Sequence, residues 1–509
     1  MKERGRRSYE QREAAKRQER REERRQMSGR ERKAAKREDR NQAKKERARN
    51  KEFARVTYIF VTLFLVMMGY IVYFHLMRSD EFVRSPYNQR QDSLAERIVR
   101  GKILDRSGKV LAQTKTRENG KEYREYPYGD MFAHVVGYTA RGKTGIEAVE
   151  NSALLTSNAF FLEKIQTEFK DQKNIGDNVV TTLDVKIQEA AYDALGSSKG
   201  AVVAIEPSTG KILAMVSKPD FDPNTVSEEW EDLSSNDDGV LVNRATQGQY
   251  APGSTFKLVT ALEYMREDKS FSDYSYKCRG EIKAGSNTIH CYGGKVHGGV
   301  DLRDSLAYSC NTSFCNIGSG LKVESFRKTT KELLFDSSLP SDIPYKKSSF
   351  ALRKDAGPAE KMMTAMGQGQ TQVSPYHMAL ITSAIANSGT LMRPYLVDSV
   401  TSHSGTIVSK NRPDKYAELL SAKEAVQLKN YMESVTDYGT ASVLGKAGYT
   451  SAGKTGTAEY SSDKEKDHSW FVGMANVDNP DIVVSVVIES ADGTAKAVNV
   501  AKKVFDAYY

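Results

Sequence analysis

A serine and a lysine three residues apart stand in an otherwise apolar stretch of this sequence. The stretch QYAPGSTFKLVTAL covers residues 249–262, with Ser254 directly after a Pro-Gly turn and Lys257 inside the apolar run. At this spacing both side chains lie on one side of a helix that begins near Ser254. A serine hydroxyl is a weak nucleophile until a base removes its proton, and desolvation at a helix N-terminus favours the neutral form of a lysine amine. We therefore predict that Ser254 is a nucleophile and that Lys257 is its general base.

A second motif lies 55 residues downstream of Ser254, in the segment LAYSCNTSF, where Ser309 and Asn311 are two positions apart. A hydroxyl in this place can relay a proton between the nucleophile and a leaving group, while an amide can orient both the lysine and a substrate carbonyl. Taken alone, S-x-x-K and S-x-N also fit a helix cap or a turn. Their combination predicts catalytic roles for Ser309 and Asn311.

A third motif, AGKTGTAEY, stands on a predicted strand near the C-terminus and contains Lys454, Thr455, Gly456 and Thr457. The cation and the hydroxyls suit a carboxylate, and Gly456 lets a substrate backbone approach the strand edge closely. The backbone N–H groups of Thr457 and Ser254 can together form an oxyanion hole. We predict that the four residues of this motif bind substrate.

Strands at both ends of the C-terminal part, with helices between them, must position these motifs. Residues 185–195 have helical periodicity, and GAVVAIEPSTGKILAMVS at 200–217 is typical of two strands joined by a turn. SAGKTGTAEY, SWFVGMAN and DIVVSVVIES indicate further strands, NVAKKVFDAYY indicates a closing helix, and residues 251–390 are expected to be mostly helical. This order predicts an α+β fold with an antiparallel sheet built from distant segments and packed against helices.

The N-terminal 55 residues differ from the rest of the chain in charge. They hold 23 Lys/Arg and 11 Asp/Glu, whereas the remaining 454 residues hold 52 and 55. A near-neutral body argues against nucleic acid as the partner of the folded part. Residues 56–77 contain no Asp, Glu, Lys or Arg, and at about 1.5 Å per residue they cross the roughly 30 Å hydrocarbon layer. The flanking charges predict a single membrane-spanning helix, with the tail in the cytoplasm and the body outside.

Together the three motifs resemble those of class B penicillin-binding proteins, the membrane-anchored D,D-transpeptidases of bacterial cell-wall synthesis. The resemblance runs from about Arg97 to the C-terminus and includes RGKILDRSGKVLA, GYTARGKTGIEAVEN, GAVVAIEPSTGKILAMVSKPDFDPN and GQGQTQVSPYHMA. The first two segments belong to a small pedestal domain that β-lactamases and soluble carboxypeptidases lack. The resemblance implies a pedestal followed by a penicillin-binding, β-lactamase-like transpeptidase domain.

Four segments follow from the composition and the resemblance. Residues 1–55 form a charged cytoplasmic tail, either disordered or a solvated helix, and residues 56–77 form the transmembrane helix. Residues 78–178 form the β-rich pedestal, of a kind associated with dimerisation, and begin with a polar connector at 78–95. Residues 179–509 form the transpeptidase domain. The tail can be a solvated helix, a contact with anionic lipid or a contact with a partner, and the sequence leaves this open.

The resemblance also implies a reaction and its partners. Ser254 would attack the penultimate D-Ala of a peptidoglycan stem pentapeptide, and an amine of a neighbouring stem would then take the acyl group to form a cross-link. The same serine would be acylated by β-lactams, which mimic the D-Ala–D-Ala dipeptide, and the chemistry requires no cofactor. The expected membrane partner is a SEDS-type polytopic glycosyltransferase of the shape, elongation, division and sporulation group.

Two other functions use some or all of the same residues. A β-lactam sensor or a β-lactamase shares S-x-x-K, S-x-N and K-T-G, but the pedestal segments and the lack of an obvious deacylating carboxylate argue against it. A non-catalytic assembly scaffold is the third hypothesis, and the presence of all the catalytic residue types argues against that one. Slow release of penicillin after acylation would favour the transpeptidase over the hydrolase.

Cysteines are concentrated near the S-x-N motif: Cys278, Cys291, Cys310 and Cys315 lie within 38 positions, and His297 follows Cys291. Two or three thiolates and an imidazole suit a tetrahedral zinc ion. Some elongation-type relatives hold a zinc in this region and use a cysteine at the middle of S-x-N. The resemblance therefore implies a structural zinc site formed by Cys278, Cys291, His297 and Cys310.

Other assignments of the same residues stay open. Asp301 is the rival fourth ligand, and Cys315 is expected to be a buried thiol. His290 is disfavoured because extended neighbours point to opposite faces, so Cys291 would turn away from it. Outside the cytoplasm a disulfide between Cys278 and Cys291 competes with zinc, and free thiols are the third alternative.

Overall fold

A computed structural model of the chain describes residues 2–77, 97–170, 172–285, 287–458, 467–491 and 496–509. The chain divides into two units, Met1–Val83 and Arg84–Tyr509. The polar connector predicted at residues 78–95 lies outside the described residues.

The first unit consists of two helices, α1 (Lys2–Gln26) and α2 (Gly29–Met77). At the start of α2 the backbone N–H and the hydroxyl of Ser28 both donate to the Glu31 carboxylate, at 2.8 and 2.7 Å. The helix continues from the charged tail into the apolar stretch, where an 18-residue window has a mean hydropathy of 2.1 and none of it is buried. By length and composition α2 is able to cross a membrane. The predicted span at residues 56–77 is the C-terminal part of this helix.

The second unit alternates short strands with helices. Its first elements are β1 (Ile98–Val99), β2 (Ile103–Leu104), β3 (Val110–Thr116), β4 (Glu122–Glu125), α3 (Ala133–Val136), α4 (Gly145–Val149), α5 (Asn151–Leu154), α6 (Phe161–Phe169), β5 (Asn174–Ile175), β6 (Asn178–Thr181) and α7 (Val185–Leu195). Its middle elements are β7 (Gly200–Ile205), β8 (Ile212–Lys218), α8 (Trp230–Ser235), α9 (Arg244–Gln247), α10 (Lys257–Glu267), β9 (Tyr276–Cys278), β10 (Glu281–Ala284), β11 (Asn287–His290), β12 (Gly298–Val300), α11 (Leu302–Ala307), α12 (Asn311–Gly320), α13 (Val323–Glu332) and α14 (Pro358–Ala365). Its last elements are α15 (Pro375–Ala386), β13 (Thr390–Met392), β14 (Val397–Thr401), β15 (Ile407–Lys410), β16 (Lys415–Glu418), α16 (Ala422–Asp437), β17 (Ser451–Ala458), β18 (His468–Ala475), β19 (Ile482–Ile488) and α17 (Ala497–Tyr508).

A five-stranded antiparallel sheet forms the centre of residues 179–509, which the sequence predicts to be the catalytic half, in the order β17-β18-β19-β7-β8. Every residue of β19 is buried, so both faces of the sheet are covered. Helices α7 and α17 pack against each other and against the sheet, and α15 packs against β7 and β19. The sheet joins strands from both ends of the catalytic half, as the sequence predicts, and leaves β17 at its edge. The α+β fold class is confirmed.

A second sheet of six short strands has the order β15-β14-β6-β2-β3-β4. Its β2 and β6 are parallel, while β6 and β14 pair antiparallel, with Val397 opposite Thr181. Residues 397–410 therefore complete a sheet whose other strands lie in the segment around the predicted pedestal. The boundary predicted at residue 178 falls at the first residue of β6, and the sheet crosses it.

A buried ion cluster explains why two of the pedestal segments contain charged residues. The Glu147 carboxylate is fully buried and accepts from Arg100 Nε at 2.6 Å and from Arg124 Nε at 2.7 Å. Burial alone would raise the pKa of Glu147, but the two guanidinium groups hold it below its usual value. Removing the carboxylate would leave the guanidinium groups buried without their partner, and removing the guanidinium groups would do the same to the carboxylate. The cluster therefore fixes β4 and α4 against the chain that leads into β2.

The region expected to be mostly helical contains a β-rich insertion. Residues 276–300 form two small sheets, in which β9 pairs with β12 and β10 pairs with β11. Each strand has only three or four residues, and such short runs give a weak periodicity signal. This insertion carries Cys278 and Cys291 and leads directly into α11.

Candidate active site

Ser254 lies in a tight turn that is pressed against the edge strand of the five-stranded sheet. Residues Gly253–Phe256 form one 3₁₀ turn, which continues into α10. Gly253 has a φ of +54°, and a Cβ at this position would lie 2.6 Å from the Thr457 carbonyl oxygen. Only glycine satisfies both constraints without strain. The predicted Pro-Gly turn therefore holds a half-buried Ser254 next to β17.

The Lys257 side chain is fully buried and is held by the S-x-N segment. Its Nζ donates to the Ser309 carbonyl at 2.8 Å and to Asn311 Oδ1 at 2.7 Å, and it lies 3.3 Å from Ser309 Oγ. Burial lowers the pKa of Lys257 to about 8. Negative charge on the sulfur atoms of Cys310, Cys315 and Cys291 opposes this shift. About a tenth of the amine is therefore neutral at pH 7, and about half at pH 8.

The backbone of the S-x-N segment is sharply bent. Ser309 has a φ of +55°, in the left-handed region that few side chains adopt. The bend is fixed by two backbone hydrogen bonds, from Ser309 N–H to Leu306 and from Cys310 N–H to Ser305. Asn311 then opens α12 and donates from Nδ2 to the His290 carbonyl at 3.1 Å. This second contact sets the orientation of the amide whose oxygen accepts from the lysine.

The K-T-G segment lies on β17, and its side chains alternate between two faces. Thr455 and Thr457 face the cleft, whereas Lys454 is fully buried and its Nζ donates to the Thr455 carbonyl at 2.9 Å. A Cβ on Gly456 would lie 3.0 Å from Thr255 Cγ2, so this glycine permits close packing against the turn of Ser254. The buried side chain of Lys454 is not part of the cleft lining, and its role in substrate binding stays a prediction.

Burial, and secondarily the charge of Lys257, lower the pKa of Lys454 well below its usual value. Two buried amines therefore share one region behind the cleft, and the charge of Lys257 disfavours the charged form of Lys454. An anion bound in the cleft would oppose this effect.

The predicted residues meet around one open cleft of about 360 Å³. Six of the eight predicted catalytic and substrate-binding residues line it, namely Ser254, Ser309, Asn311, Thr455, Gly456 and Thr457. The amine of Lys257 lies directly behind Ser309 and Asn311. The hydroxyls of Ser254 and Ser309, the buried amine of Lys257 and the edge of β17 therefore surround one substrate-sized space. These are the groups that acyl transfer requires.

Sequence comparison places this site in a known family. The profile of the family described as "Penicillin binding protein transpeptidase domain" matches residues 200–509, and that described as "Penicillin binding protein A dimerisation domain" matches residues 100–179. The chain belongs to the penicillin-binding protein transpeptidase family. The resemblance to class B members, inferred from the motifs, is confirmed.

Individual relatives of this penicillin-binding protein extend over most of its length. The peptidoglycan D,D-transpeptidase PbpA of Mycolicibacterium smegmatis is 30% identical over 485 residues, which cover 89% of this chain and 98% of the relative. The D,D-transpeptidase domain of a peptidoglycan glycosyltransferase from Eggerthella lenta is 33% identical, with a TM-score of 0.72 over 81% of this chain and 99% of that one. An imipenem acyl-enzyme complex of penicillin-binding protein A from M. tuberculosis is 30% identical, with a TM-score of 0.72 over 80% and 98%.

Three thiols and one imidazole converge beside the S-x-N segment of this penicillin-binding protein. Cys278 Sγ lies 3.7 Å from Cys291 Sγ and 3.4 Å from His297 Nδ1, and Cys291 Sγ lies 3.8 Å from Cys310 Sγ. All four candidate ligand atoms lie within 4.8 Å of one another. They belong to the four residues for which the resemblance implied a zinc site, and soft thiolates with one imidazole fit that ion.

The rival residues have other contacts. Asp301 caps α11 by accepting from the Asp304 N–H at 2.7 Å, and His290 is exposed near Glu281. Cys315 is buried among Met362 and Met366, away from the other thiols. Cys310 therefore stands between Ser309 and Asn311 with its sulfur in the cluster, so the cluster and the catalytic segment share a backbone.

Several cleft residues of the penicillin-binding protein were not found from the sequence. Tyr308 precedes Ser309 and stacks on His297, with ring centroids 5.9 Å apart. His468 is the first residue of β18, is partly buried and lines the cleft. Further lining residues are Tyr292, Lys295, Gln368, Thr440, Asp467, Ser469, Trp470, Ala491, Lys496, Ala497 and Val498. No local motif identifies them, because they come from five separate segments.

Proposed function

We propose that this protein cross-links peptidoglycan as a D,D-transpeptidase through an acyl-enzyme on Ser254. The observation that carries the proposal is the buried amine of Lys257, held by Ser309 and Asn311 at the edge of a cleft that contains Ser254. A lysine in this environment has lost much of its preference for the charged form and can act as a base. The names of the relatives, which are D,D-transpeptidases, support the same activity.

In the first half of the reaction the neutral Lys257 amine takes the proton of the Ser254 hydroxyl. The serine oxygen bonds to the carbonyl carbon of the penultimate D-Ala, and the backbone N–H groups of Ser254 and Thr457 stabilise the oxyanion. The bond between the two D-Ala residues then breaks, and Ser309 passes the proton to the departing amine. The product is an ester between Ser254 and the shortened stem peptide.

The terminal carboxylate of the stem peptide would bind the hydroxyl groups of Thr455 and Thr457. Lys454 contributes from beneath, because a carboxylate in the cleft favours its protonated form and so offsets part of the cost of its burial. Asn311 keeps its oxygen on Lys257 while the substrate amide binds nearby. In the second half of the reaction, an amine from a neighbouring stem attacks the ester and regenerates Ser254.

The kinetics of penicillin release test this proposal against a β-lactamase. We expect one equivalent of penicillin to acylate the full-length protein rapidly and to leave slowly, over many minutes. With stem pentapeptides and an amine acceptor, we expect release of D-Ala together with a cross-linked product, measured by mass spectrometry. Rapid turnover of penicillin without a cross-linked product would contradict the proposal and favour the hydrolase. Acylation without any D-Ala release would favour the sensor.

The location and the membrane partner form a second part of the proposal. The apolar part of α2 would anchor the protein as a single-pass membrane protein, with the basic tail in the cytoplasm and the catalytic half outside. This places the cleft on the side of the membrane where peptidoglycan is cross-linked. A SEDS-type polytopic glycosyltransferase would supply the glycan strands and would bind the membrane helix and the pedestal.

The third part of the proposal concerns the cysteine cluster. We infer that Cys278, Cys291, His297 and Cys310 hold one structural zinc ion, which would tie the 276–300 insertion to the S-x-N segment without taking part in the reaction. The convergence of four buried or partly buried donor atoms supports this inference. None of the four cysteines forms a disulfide bond in the structure.

Metal analysis provides the corresponding prediction. We expect one zinc per chain by elemental mass spectrometry, and we expect a chelator to lower the melting temperature. Cys278→Ala is expected to lose the metal, whereas Cys315→Ala, a buried thiol outside the cluster, is expected to keep it. If the protein contains no metal and only two of its four cysteines react in a thiol titration of the unfolded chain, the result would instead show a disulfide.

A further inference from the structure

We propose that Thr440 is a positioning residue that aims the Thr455 hydroxyl at the terminal carboxylate of the substrate. This inference rests on the proposed use of Thr455 as a carboxylate ligand. The Oγ1 atoms of Thr440 and Thr455 are hydrogen-bonded at 2.5 Å, and both residues line the cleft. Thr440 belongs to none of the three catalytic motifs.

The segment that carries Thr440 is fixed against the helix that leads into Ser309. The Thr440 N–H donates to the Ala307 carbonyl at 3.0 Å. A Cβ on the preceding Gly439 would lie 2.3 Å from that same carbonyl oxygen, so the contact requires glycine there. The Tyr438 ring packs against Tyr308 at 5.8 Å. The backbone of Thr440 is therefore bound to Ala307, two residues before Ser309.

The other side of this segment is tied to the K-T-G strand. At the end of α16, Thr436 Oγ1 donates to the carbonyl of Ser451, the first residue of β17, at 2.5 Å. The Tyr438 hydroxyl donates to Asp304 Oδ1 at 2.9 Å. Residues 436–440 thus join the S-x-N segment to the substrate-binding strand, and Thr440 is the point where this connection reaches the cleft.

The hydrogen-bond chemistry gives Thr440 its role. A threonine hydroxyl has one proton to donate and two lone pairs that accept. If Thr440 donates to Thr455 Oγ1, the single proton of Thr455 is left for the carboxylate, and the two hydrogen bonds strengthen each other. Without Thr440 the Thr455 hydroxyl can rotate among several acceptors, including neighbouring carbonyls. Thr440 therefore acts on the anion through Thr455.

Recognition of the carboxylate is measurable with a matched pair of β-lactams. We compare the second-order acylation rate for benzylpenicillin with that for its carboxamide, using the full-length protein. Thr440→Val keeps the shape of the side chain and removes the hydroxyl, and it is expected to lower the rate for the acid about tenfold. The rate for the carboxamide is expected to change less than twofold. Thr440→Ser restores the hydroxyl and is expected to restore the acid-to-amide ratio.

A second measurement separates positioning from general damage to the fold. In the double variant of Thr440→Val with Thr455→Val, the loss for the acid is expected to be no larger than with Thr455→Val alone, because both changes remove the same contact. Equal losses for acid and carboxamide in Thr440→Val, or no loss for either, would overturn the inference. Fast hydrolysis of benzylpenicillin would overturn only the proposed transpeptidase function, while failure to acylate at all would overturn both.

Discussion

Ser254→Ala is expected to abolish covalent labelling by penicillin and release of D-Ala from stem pentapeptides, a loss of at least about four orders of magnitude in rate. The reason is chemical, because Ser254 supplies the hydroxyl that the turn next to β17 presents to the described cleft, and it is the proposed nucleophile. The Ser309 hydroxyl lies 3.3 Å from the lysine amine and is assigned to proton relay rather than to attack on the substrate. Intact-protein mass spectrometry with peptide mapping checks the expected result.

The matched control is Ser319→Ala, which removes an exposed hydroxyl on α12 of the same half of the protein. This variant is expected to label like the unaltered protein. Both variants are expected to keep the melting temperature, since neither side chain fills the core. A penicillin adduct that persists in Ser254→Ala and maps to another residue would refute the assignment of the nucleophile.

Lys257→Arg is expected to reduce the acylation rate about a thousandfold even though it keeps a positive charge. General-base catalysis needs a group that gives up its proton near the working pH, and a guanidinium does not do so in proteins. The same change also forces a larger group into a fully buried site, so thermal melting must be measured beside acylation. Lys257→Met, which is apolar and of similar length, controls for size, and it is expected to fold and to acylate equally slowly.

The pH dependence of the unaltered enzyme provides an independent check on the same lysine. Because burial lowers the pKa of Lys257 to about 8, the neutral base becomes more abundant as the pH rises through that value. The acylation rate is therefore expected to increase with pH and to level off above about 9. The groups that oppose this lowering of the Lys257 pKa are the sulfur atoms of Cys310, Cys315 and Cys291. A rate that is flat between pH 6 and 9 would contradict the role of Lys257 as the base.

Local chemistry explains why the candidate catalytic residues could be selected from the sequence. The Pro-Gly turn before Ser254 and the helix that carries Lys257 are short-range features, and each survives unchanged in the fold. The helix at Val185–Leu195 and the strand pair around residue 208 were predicted for the same reason, since their periodicity or turn residues are clear. Six of the predicted residues meet in one cleft. This could be anticipated only from the family resemblance, because no local sequence pattern shows which distant segments lie together.

The features that escaped prediction depend on contacts between distant segments. Thr440 meets Thr455 only because α16 packs beside β17, and no spacing in the sequence expresses that packing. Strands β14 and β15 at 397–410 are short and partly or fully exposed, so the pairing of β14 with β6 and of β15 with β14 gives no periodic signal. The burial of Lys454, by contrast, was available from the alternation of side chains along a strand, which separates it from Thr455 and Thr457.

The sheet that crosses the predicted boundary has a mechanical consequence. Because β14 is hydrogen-bonded to β6, and β6 to β2, a pull on the segment near residue 100 is transmitted to residue 397 through a ladder of backbone hydrogen bonds rather than through a hinge. A shortened protein that starts at residue 179 would lose β2 and expose the bare side of β6, an edge open to unwanted pairing between molecules. The smallest well-behaved secreted fragment should therefore begin close to residue 97.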